Sequence, residues 1–269
     1  MNKNLIIKEM KRNSISFFLW MFAISLLVML TMLIYPVFLE NQSKVLGMMS
    51  IFPKGALQFK GISNFTDLLS ALGFYSVNNI IYMMVLGSIF AIVLASNILL
   101  KEEYNKTAEY LLTRPLTRSD VFFSKLAVLL FQIFSLNIVV TLAGFIGIEL
   151  VKNGPYSIKA FLILSLYTLL LNLLFGSIGL FMSTLVKKPK PITTFSIGLV
   201  LVLYFIYTIS KITESISGIG YLSPFKFVNA EAFSPDYKIS SWHLVYFIGI
   251  SLLLTGISYR LYCRKDIYT

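Results

Sequence analysis

The stretch KEEYNKTAEYLLTRPLTRSDVFFSK, Lys101 to Lys125, is a charged island between two long hydrophobic segments. It contains nine charged residues, whereas the 33 residues before it and the 23 after it contain none. Over the whole chain, 57% of the 269 residues are hydrophobic and 13% are charged, against about 25% charged in a soluble domain. The mean hydropathy is +0.80. This pattern predicts a membrane protein.

Charge-free runs give the number of membrane spans. A spanning helix needs about 20 apolar residues, and six runs without Asp, Glu, Lys or Arg reach or approach that length. They do not alternate polar and apolar residues, as the strands of a membrane β-barrel would. We therefore predict an all-α membrane protein with six transmembrane helices in one domain over residues 1–269. The predicted spans are about 14–39, 74–100, 126–148, 160–186, 191–210 and 242–259.

The distribution of Lys and Arg predicts the orientation. With six spans, one set of loops and termini carries 15 basic residues in 52 positions, and the other set carries 8 in 69. The denser set contains both termini and residues 101–125, so these are predicted to be cytoplasmic. The net charge of +11 is therefore mainly a topology signal. Nucleic-acid binding is excluded, because no soluble domain is present to carry a basic surface.

The first 13 residues are predicted to form a short interfacial helix. On a helical wheel, Ile6, Ile7 and Met10 fall on one side, and basic residues fall opposite them. An apolar face toward acyl chains and a basic face toward anionic headgroups is the interfacial pattern. A basic tail that only sets the orientation is compatible with the same residues.

The charged island is predicted to be a helical cytoplasmic loop between spans two and three. Tyr104, Ala108 and Leu111 recur at i, i+4 and i+7, on one helical face. Pro115 ends that helix, because proline cannot continue the hydrogen-bond ladder. Thr117 can then cap a second helix, with Asp120 at the capping-box position.

These residues resemble the first cytoplasmic loop of type-2 ABC (ATP-binding cassette) exporter permeases. That family shows the pattern E-x-x-x-G-T-x-E-x-L-L-x-x-P-[LV]-[ST]-R, followed by a Lys about seven residues later. The chain departs from it at Lys106, where the family has Gly. Ser223-Pro224-Phe225 and the ending Arg264-Lys265-Asp266-Ile267 also resemble this family. The matching island residues are Glu102 or Glu103, Thr107, Glu109, Leu111, Leu112, Pro115, Leu116, Thr117, Arg118 and Lys125.

The resemblance implies a permease subunit of a bacterial plasma-membrane exporter. Two such chains, identical or different, pair with each other, and each couples through residues 101–125 to a separate ABC ATPase subunit. ATP and magnesium are expected on that ATPase, and no cofactor on this chain. Lys101 and Lys125, which flank the spans, are interpreted as solvated anchors near the headgroups. The predicted docking residues are Glu102, Glu103, Thr107, Glu109, Arg114, Pro115 and Arg118.

Six amides lie within the predicted spans. Uncharged amides in a membrane are more often hydrogen-bond partners between helices than markers of a pathway, and both roles stay open. Small residues Gly87, Ala91 and Ala95 recur every four residues, which favours close helix packing, in this chain or with a second copy. The amides are Asn78, Asn79, Asn97, Gln132, Asn137 and Asn172.

Catalytic functions find little support in the sequence. The chain has no phosphate-binding G-x-x-x-x-G-K-[ST] motif, so ATP hydrolysis is expected in a partner. A single histidine, His243, does not make a metal site. Glu102-Glu103 begins the Glu-Glu-x-x-x-Arg motif of intramembrane prenyl-protein proteases, but Thr107 stands at the Arg position. The chain is therefore not expected to be an enzyme by itself.

The cargo is expected to be hydrophobic or amphipathic, such as a peptide, an antibiotic or a lipid-like molecule. The predicted spans are rich in aromatic residues and contain no charges. The alternative function is a membrane scaffold or accessory subunit that anchors a cytoplasmic partner without transport. A channel without an ATPase is disfavoured, because rings of pore-lining charge are absent.

Overall fold

The computed structural model describes residues 2–44, 47, 68–100, 117–186, 189–212, 214–228 and 237–264. Within these ranges, six helices are long and apolar enough to cross a membrane. The prediction of an all-α protein with six spans is therefore confirmed. The side of the membrane on which the termini lie, and the single-domain organisation, stay predictions. The helices are α1 (Lys3–Glu40), α2 (Ala71–Ile98), α3 (Arg118–Val151), α4 (Ile158–Leu185), α5 (Pro189–Ile212) and α6 (Ser241–Arg264).

Helix α1 runs without a break from Lys3 to Glu40, so no separate interfacial helix precedes the first span. The predicted helical conformation is right, but the predicted boundary near residue 13 is wrong. No Gly occurs in α1, and its only Pro is Pro36, near the C-terminal end, so nothing interrupts the backbone hydrogen bonds after residue 13. The Asn2 side chain caps the helix by accepting from the backbone N–H groups of Asn4 and Leu5.

Helix α2 changes its winding in the middle. It is α-helical over Ala71–Asn79, has a π-helical segment over Ile80–Leu86, and is α-helical again over Gly87–Ile98. A π segment in an α-helix widens the turn and shifts the faces of the residues that follow. The sequence reasoning missed this segment, because no Gly or Pro occurs within it.

The centre of the bundle is the contact between α2 and α4, which are the two most buried helices. Ala91 and Ala95 of α2 are fully buried. Across from them, a Cβ atom added at Gly179 would lie 2.5 Å from the Ile92 carbonyl oxygen. The small residues of α2 therefore bring α2 against α4 in the same chain, which is one of the two predicted alternatives.

The segment between α5 and α6 returns to the bundle through Ser223-Pro224-Phe225. Two short 3₁₀ helices, Glu214–Leu222 and Pro224–Phe227, flank the serine. The Ser223 hydroxyl donates to the Leu203 carbonyl at 2.7 Å, and the fully buried Phe225 ring packs against Phe175 and two tyrosines of α5. The Ser-Pro-Phe sequence thus anchors this segment against α4 and α5.

An exposed polar cluster lies where α3 ends. Glu149 accepts from Lys152 at 2.6 Å and from the Tyr156 hydroxyl at 2.9 Å. Partial burial, and then the hydrogen bond and charge of Glu149, raise the pKa of Tyr156 to about 12. Because Glu149 and Lys152 are both substantially exposed, this ion pair serves below as a reference for a buried pair.

The start of α1 and the end of α6 lie at the same end of the bundle as the start of α3. The Asn2 backbone N–H donates to the Ser124 hydroxyl at 2.9 Å, and the Arg118 guanidinium donates to the Cys263 carbonyl at 3.1 Å. We call this the loop end, because α2 finishes there before residues 101–116 and α3 begins there after them.

Candidate functional site: the loop end of the bundle

The loop end holds the two points where residues 101–116 leave and re-enter the described structure. Those sixteen residues lie outside the described ranges, as do most of the predicted docking residues. Docking through them therefore stays a prediction, and so does the interpretation of Lys101. The predicted docking residues outside the described ranges are Glu102, Glu103, Thr107, Glu109, Arg114 and Pro115.

The start of α3 is fixed by the predicted capping box. The Thr117 hydroxyl accepts from the Asp120 backbone N–H at 3.1 Å, and the Asp120 carboxylate accepts from the Thr117 N–H at 3.3 Å. The prediction that Thr117 begins a second helix, with Asp120 in place of Glu, is confirmed. The capping box thereby fixes the position where α3 begins.

Removal of the Thr117 hydroxyl is expected to lower the free energy of unfolding by about 1 kcal/mol, the usual cost of losing an N-cap. The measurement is reversible unfolding in mixed micelles, followed by circular dichroism. Thr117→Ser keeps the hydroxyl and is expected to remain close to the parent protein. Equal losses in Thr117→Ala and Thr117→Ser would contradict a capping role.

Lys125 is the centre of a buried polar cluster, not a solvated anchor. Its side chain is fully buried, and its Nζ donates to Glu9 Oε1 at 3.2 Å and to the Ile98 carbonyl at 2.5 Å. Arg12 donates to the other Glu9 oxygen at 2.6 Å. The interpretation of Lys125 as a headgroup anchor is wrong, because a carboxylate and a helix-end carbonyl replace water around the ammonium group. We call this cluster, formed by Glu9, Lys125, the Ile98 carbonyl and the partly exposed Arg12, the clamp.

The clamp joins three helices beside the loop. Glu9 belongs to α1, Ile98 is the last residue of α2, and Lys125 lies two turns into α3. The Ile98 carbonyl is one of the groups that a helix end leaves without an intrahelical partner, and a cation there also interacts favourably with the helix dipole. The clamp therefore fixes the end of α2 relative to the start of α3, on the two sides of residues 101–116.

Sequence reasoning missed Glu9. The buried residues of α1 form a stripe that continues through Leu5, Glu9, Asn13 and Phe17, whereas Ile7, assigned to the apolar face, is 44% exposed. The ion pair thus places Glu9, and not Ile7, on the buried face of this segment. One signal was present: Glu9 is the only acidic residue among the first 13, in a segment with four basic residues.

Helix α6 packs against the start of α3 at the loop end. The Arg118 guanidinium contacts the Cys263 carbonyl, and the Ser119 and Tyr259 hydroxyls are 2.8 Å apart. The Phe122 ring packs edge-on against Tyr259, with ring centroids 5.4 Å apart. Arg118 is the one predicted docking residue in the described structure, and it contacts the C-terminal helix there. Its role in docking stays a prediction.

The six predicted polar residues are spread along the bundle and do not form one line. Asn78 and Asn137 donate to carbonyls of their own helices, and Asn79 is buried. Asn172 accepts from the Ser88 hydroxyl at 3.3 Å, close to Gly87. Two of the six, Asn97 and Gln132, line one cavity near the clamp.

Asn97 and the lone histidine make contacts between helices. The Asn97 amide donates to Thr193 Oγ1 at 3.0 Å, which links α2 to α5. His243 Nδ1 lies 3.1 Å from the Tyr167 hydroxyl, which links α6 to α4. Within the described residues, no cluster of three or more His, Cys, Asp or Glu side chains has the arrangement of a metal site.

Comparison with known proteins agrees with this architecture. Residues 4–267 match the model of a family described as ABC-2 family transporter protein. A search of curated proteins gave no match. The match spans nearly the whole chain, including all six helices, the loop and the clamp residues. The chain therefore belongs to the ABC-2 transporter family and is a multi-pass permease subunit of an ABC transporter.

Proposed function

We propose that this chain is the permease subunit of a bacterial exporter in the plasma membrane. In this proposal two permease chains pair, and each receives motion from its own cytoplasmic ATPase subunit through residues 101–125. The cargo is a hydrophobic or amphipathic molecule, such as a peptide, an antibiotic or a lipid. ATP and magnesium bind to the ATPase, and this chain contributes the path.

One observation carries the proposal: the clamp ties together the helix ends on the two sides of the loop. Lys125 contacts α1 and the last carbonyl of α2, and it lies eight residues after Thr117, where the loop returns. A push on residues 101–116 by a partner therefore reaches three helices through short contacts. Transmission of this kind requires rigid attachment at the ends of the element that is pushed, which a loop tethered by solvated side chains would lack.

The exposed faces of α1 and α6 suit a second chain or lipid. Among the spans, α1 and α6 have the two smallest buried shares, and many of their outward residues are large and apolar. Close packing in lipid needs complementary shapes more than hydrophobicity, since the acyl chains are equally apolar. These faces are therefore the proposed contact between two permease chains.

The test is purification from native membranes in mild detergent with mass spectrometry of co-purified chains. We expect a stoichiometric partner that carries G-x-x-x-x-G-K-[ST]. The paired reversals Glu103→Lys and Glu109→Lys are expected to reduce this partner about tenfold or more, because like charges across an interface cost several kcal/mol.

The matched control is Glu149→Lys, which reverses an exposed acidic residue at the far end of α3 and is expected to keep the partner. Equal melting temperatures of the variants in detergent would show that folding is unchanged. If a well-folded parent protein brings no nucleotide-binding partner, the exporter proposal fails. A partner that is lost on reversal without any change in export would favour the scaffold alternative.

A further inference from the structure

A cavity of about 250 Å³ lies between α1, α2 and α3, just inside the clamp. Ile98, whose carbonyl contacts Lys125, lines the cavity, and so does Gln132, about 10 Å beyond Lys125 along α3, so the cavity extends from the clamp into the bundle. Three amides and three aromatic rings are among its lining residues. The amides are those of Asn13, Asn97 and Gln132, and the rings are those of Phe17, Trp20 and Phe90.

The hydrogen bonding of this wall is incomplete at one atom. Gln132 is 2% exposed, and its side-chain carbonyl oxygen has no hydrogen-bond partner among the described residues. Asn97, in contrast, donates to the Val93 carbonyl and to Thr193. A buried carbonyl without a hydrogen bond is unfavourable, and a group that donates to it recovers much of that cost.

A second cavity lies on the lipid-facing side of the first. Phe17 and Gln132 line both, so their side chains form a shared wall between the inner cavity and an outer one of about 450 Å³ between α1 and α3. The other walls of the outer cavity include Lys11 and the rings of Phe18 and Phe131, which are 58% and 52% exposed. An acyl chain can therefore approach the shared wall from the bilayer. The lining residues of the inner cavity include no charged side chain, and in the nearby clamp Lys125 and Arg12 both contact the Glu9 carboxylate.

We propose that the inner cavity binds the head of a neutral amphipathic molecule that carries hydroxyl or amide donors. Its donor group pairs with the Gln132 carbonyl after a rotation of that side chain, because the oxygen is enclosed in the cavity wall in this structure. Its hydrocarbon chain lies along Phe17 and Trp20. Both a resident membrane lipid and the transported cargo have this chemistry. The site itself does not depend on the ATPase, so it can be tested on the permease chain alone.

Trp20 gives a direct readout, because it lines the cavity and the chain has only one other tryptophan. Trp242 is 69% exposed at the start of α6, and Trp242→Phe leaves Trp20 as the only indole. This protein is reconstituted in phosphatidylcholine vesicles with a monoacylglycerol whose chain carries two bromines, which quench an indole on contact. The comparison probe is the methyl ester of the same brominated acid, which has no donor.

We expect the monoacylglycerol to quench Trp20 at about a five- to tenfold lower mole fraction than the ester, the difference made by one hydrogen bond. In Gln132→Leu the advantage is expected to disappear. Asn137→Leu is the matched control, since Asn137 is a buried amide of the same helix with an unpaired carbonyl, but it does not line the cavity. Gln132→Met also removes the amide but keeps the side-chain length, so it provides the same test if Gln132→Leu does not fold.

Equal quenching by both probes in the parent protein would overturn the proposal, because it would mean that lipid merely touches Trp20. An equal loss in Asn137→Leu would also overturn it. Whether the site holds cargo or a resident lipid is tested on the permease assembled with its ATPase. Release of the probe on addition of ATP identifies cargo, and retention of the probe during ATP turnover identifies a resident lipid. Failure to find any ATPase would end the exporter proposal but leave the vesicle result unaffected.

Discussion

Glu9→Leu is expected to destabilise the protein by about 3–5 kcal/mol, the cost of removing one partner from a buried ion pair. The Lys125 ammonium is fully buried and would lose the carboxylate 3.2 Å from its Nζ. Arg12 would lose the same carboxylate. The measurement is the free energy of unfolding in mixed micelles, read by circular dichroism or by resistance to detergent-induced unfolding.

The two partners of this pair are not equivalent. After Lys125→Met the Glu9 carboxylate keeps Arg12 at 2.6 Å, so we expect a smaller loss of about 1–3 kcal/mol. The double variant Glu9→Leu/Lys125→Met replaces the pair with apolar groups and is expected to be more stable than Glu9→Leu alone. Lys152→Met removes a shorter pair, at 2.6 Å, that is exposed, and is expected to cost less than about 1 kcal/mol.

The double variant also separates folding from transmission. If the clamp transmits motion, this variant is expected to fold and to bind its ATPase, yet to lose most export, because the end of α2 is no longer tied to α3. Equal stability of Glu9→Leu and Lys152→Met would contradict the burial of the pair. Full export by the double variant would contradict its part in transmission.

Gly179→Ala is the second substitution with a large expected effect, about 3 kcal/mol or more. Its new Cβ atom would lie 2.5 Å from the Ile92 carbonyl oxygen and 2.8 Å from the Ala95 methyl group. Neither neighbour can move by rotating a side chain, so α2 and α4 must separate. Overpacking in a close-packed interior costs about 1–3 kcal/mol, and more when the backbone has to shift.

The control for this substitution is Gly249→Ala in α6, where an added Cβ atom meets nothing within 4 Å. It is expected to be neutral, or to stabilise α6 by up to about 1 kcal/mol through helix propensity. Both variants are compared with the parent protein by thermal unfolding in detergent. Similar melting temperatures for the two variants would show that α2 and α4 can accommodate the added methyl group at Gly179.

The sequence sufficed for the six spans because a bilayer allows the backbone only helices or a closed β-barrel, and the apolar runs lack the alternation of barrel strands. A long apolar segment without water must satisfy its own hydrogen bonds, and a helix does so locally. The capping box at Thr117 was predictable for a similar reason, since both of its partners lie within one turn. The continuity of α1 was not, because hydropathy changes near residue 13 while the helix does not.

The clamp could not be predicted, because it depends on residues 116 positions apart. Hydropathy places a lysine at the end of a span in the headgroup region, and only the packing of α1 against α3 brings Glu9 to Lys125. The stripe of small residues in α2 was visible in the sequence, but its partner was not. That partner includes Gly179, where an added Cβ atom would come closer to the facing helix, at 2.5 Å, than one at Gly87, at 2.8 Å.

Thr117 and the clamp fix the helix ends on the two sides of residues 101–116, and most of the residues predicted to meet the ATPase lie between those ends. On this prediction, divergence that changes the ATPase partner falls mainly between two anchored helix ends. Arg118 is the exception, because the side chain that is predicted to dock also holds the C-terminal helix, so a change of partner at that position would also disturb the bundle.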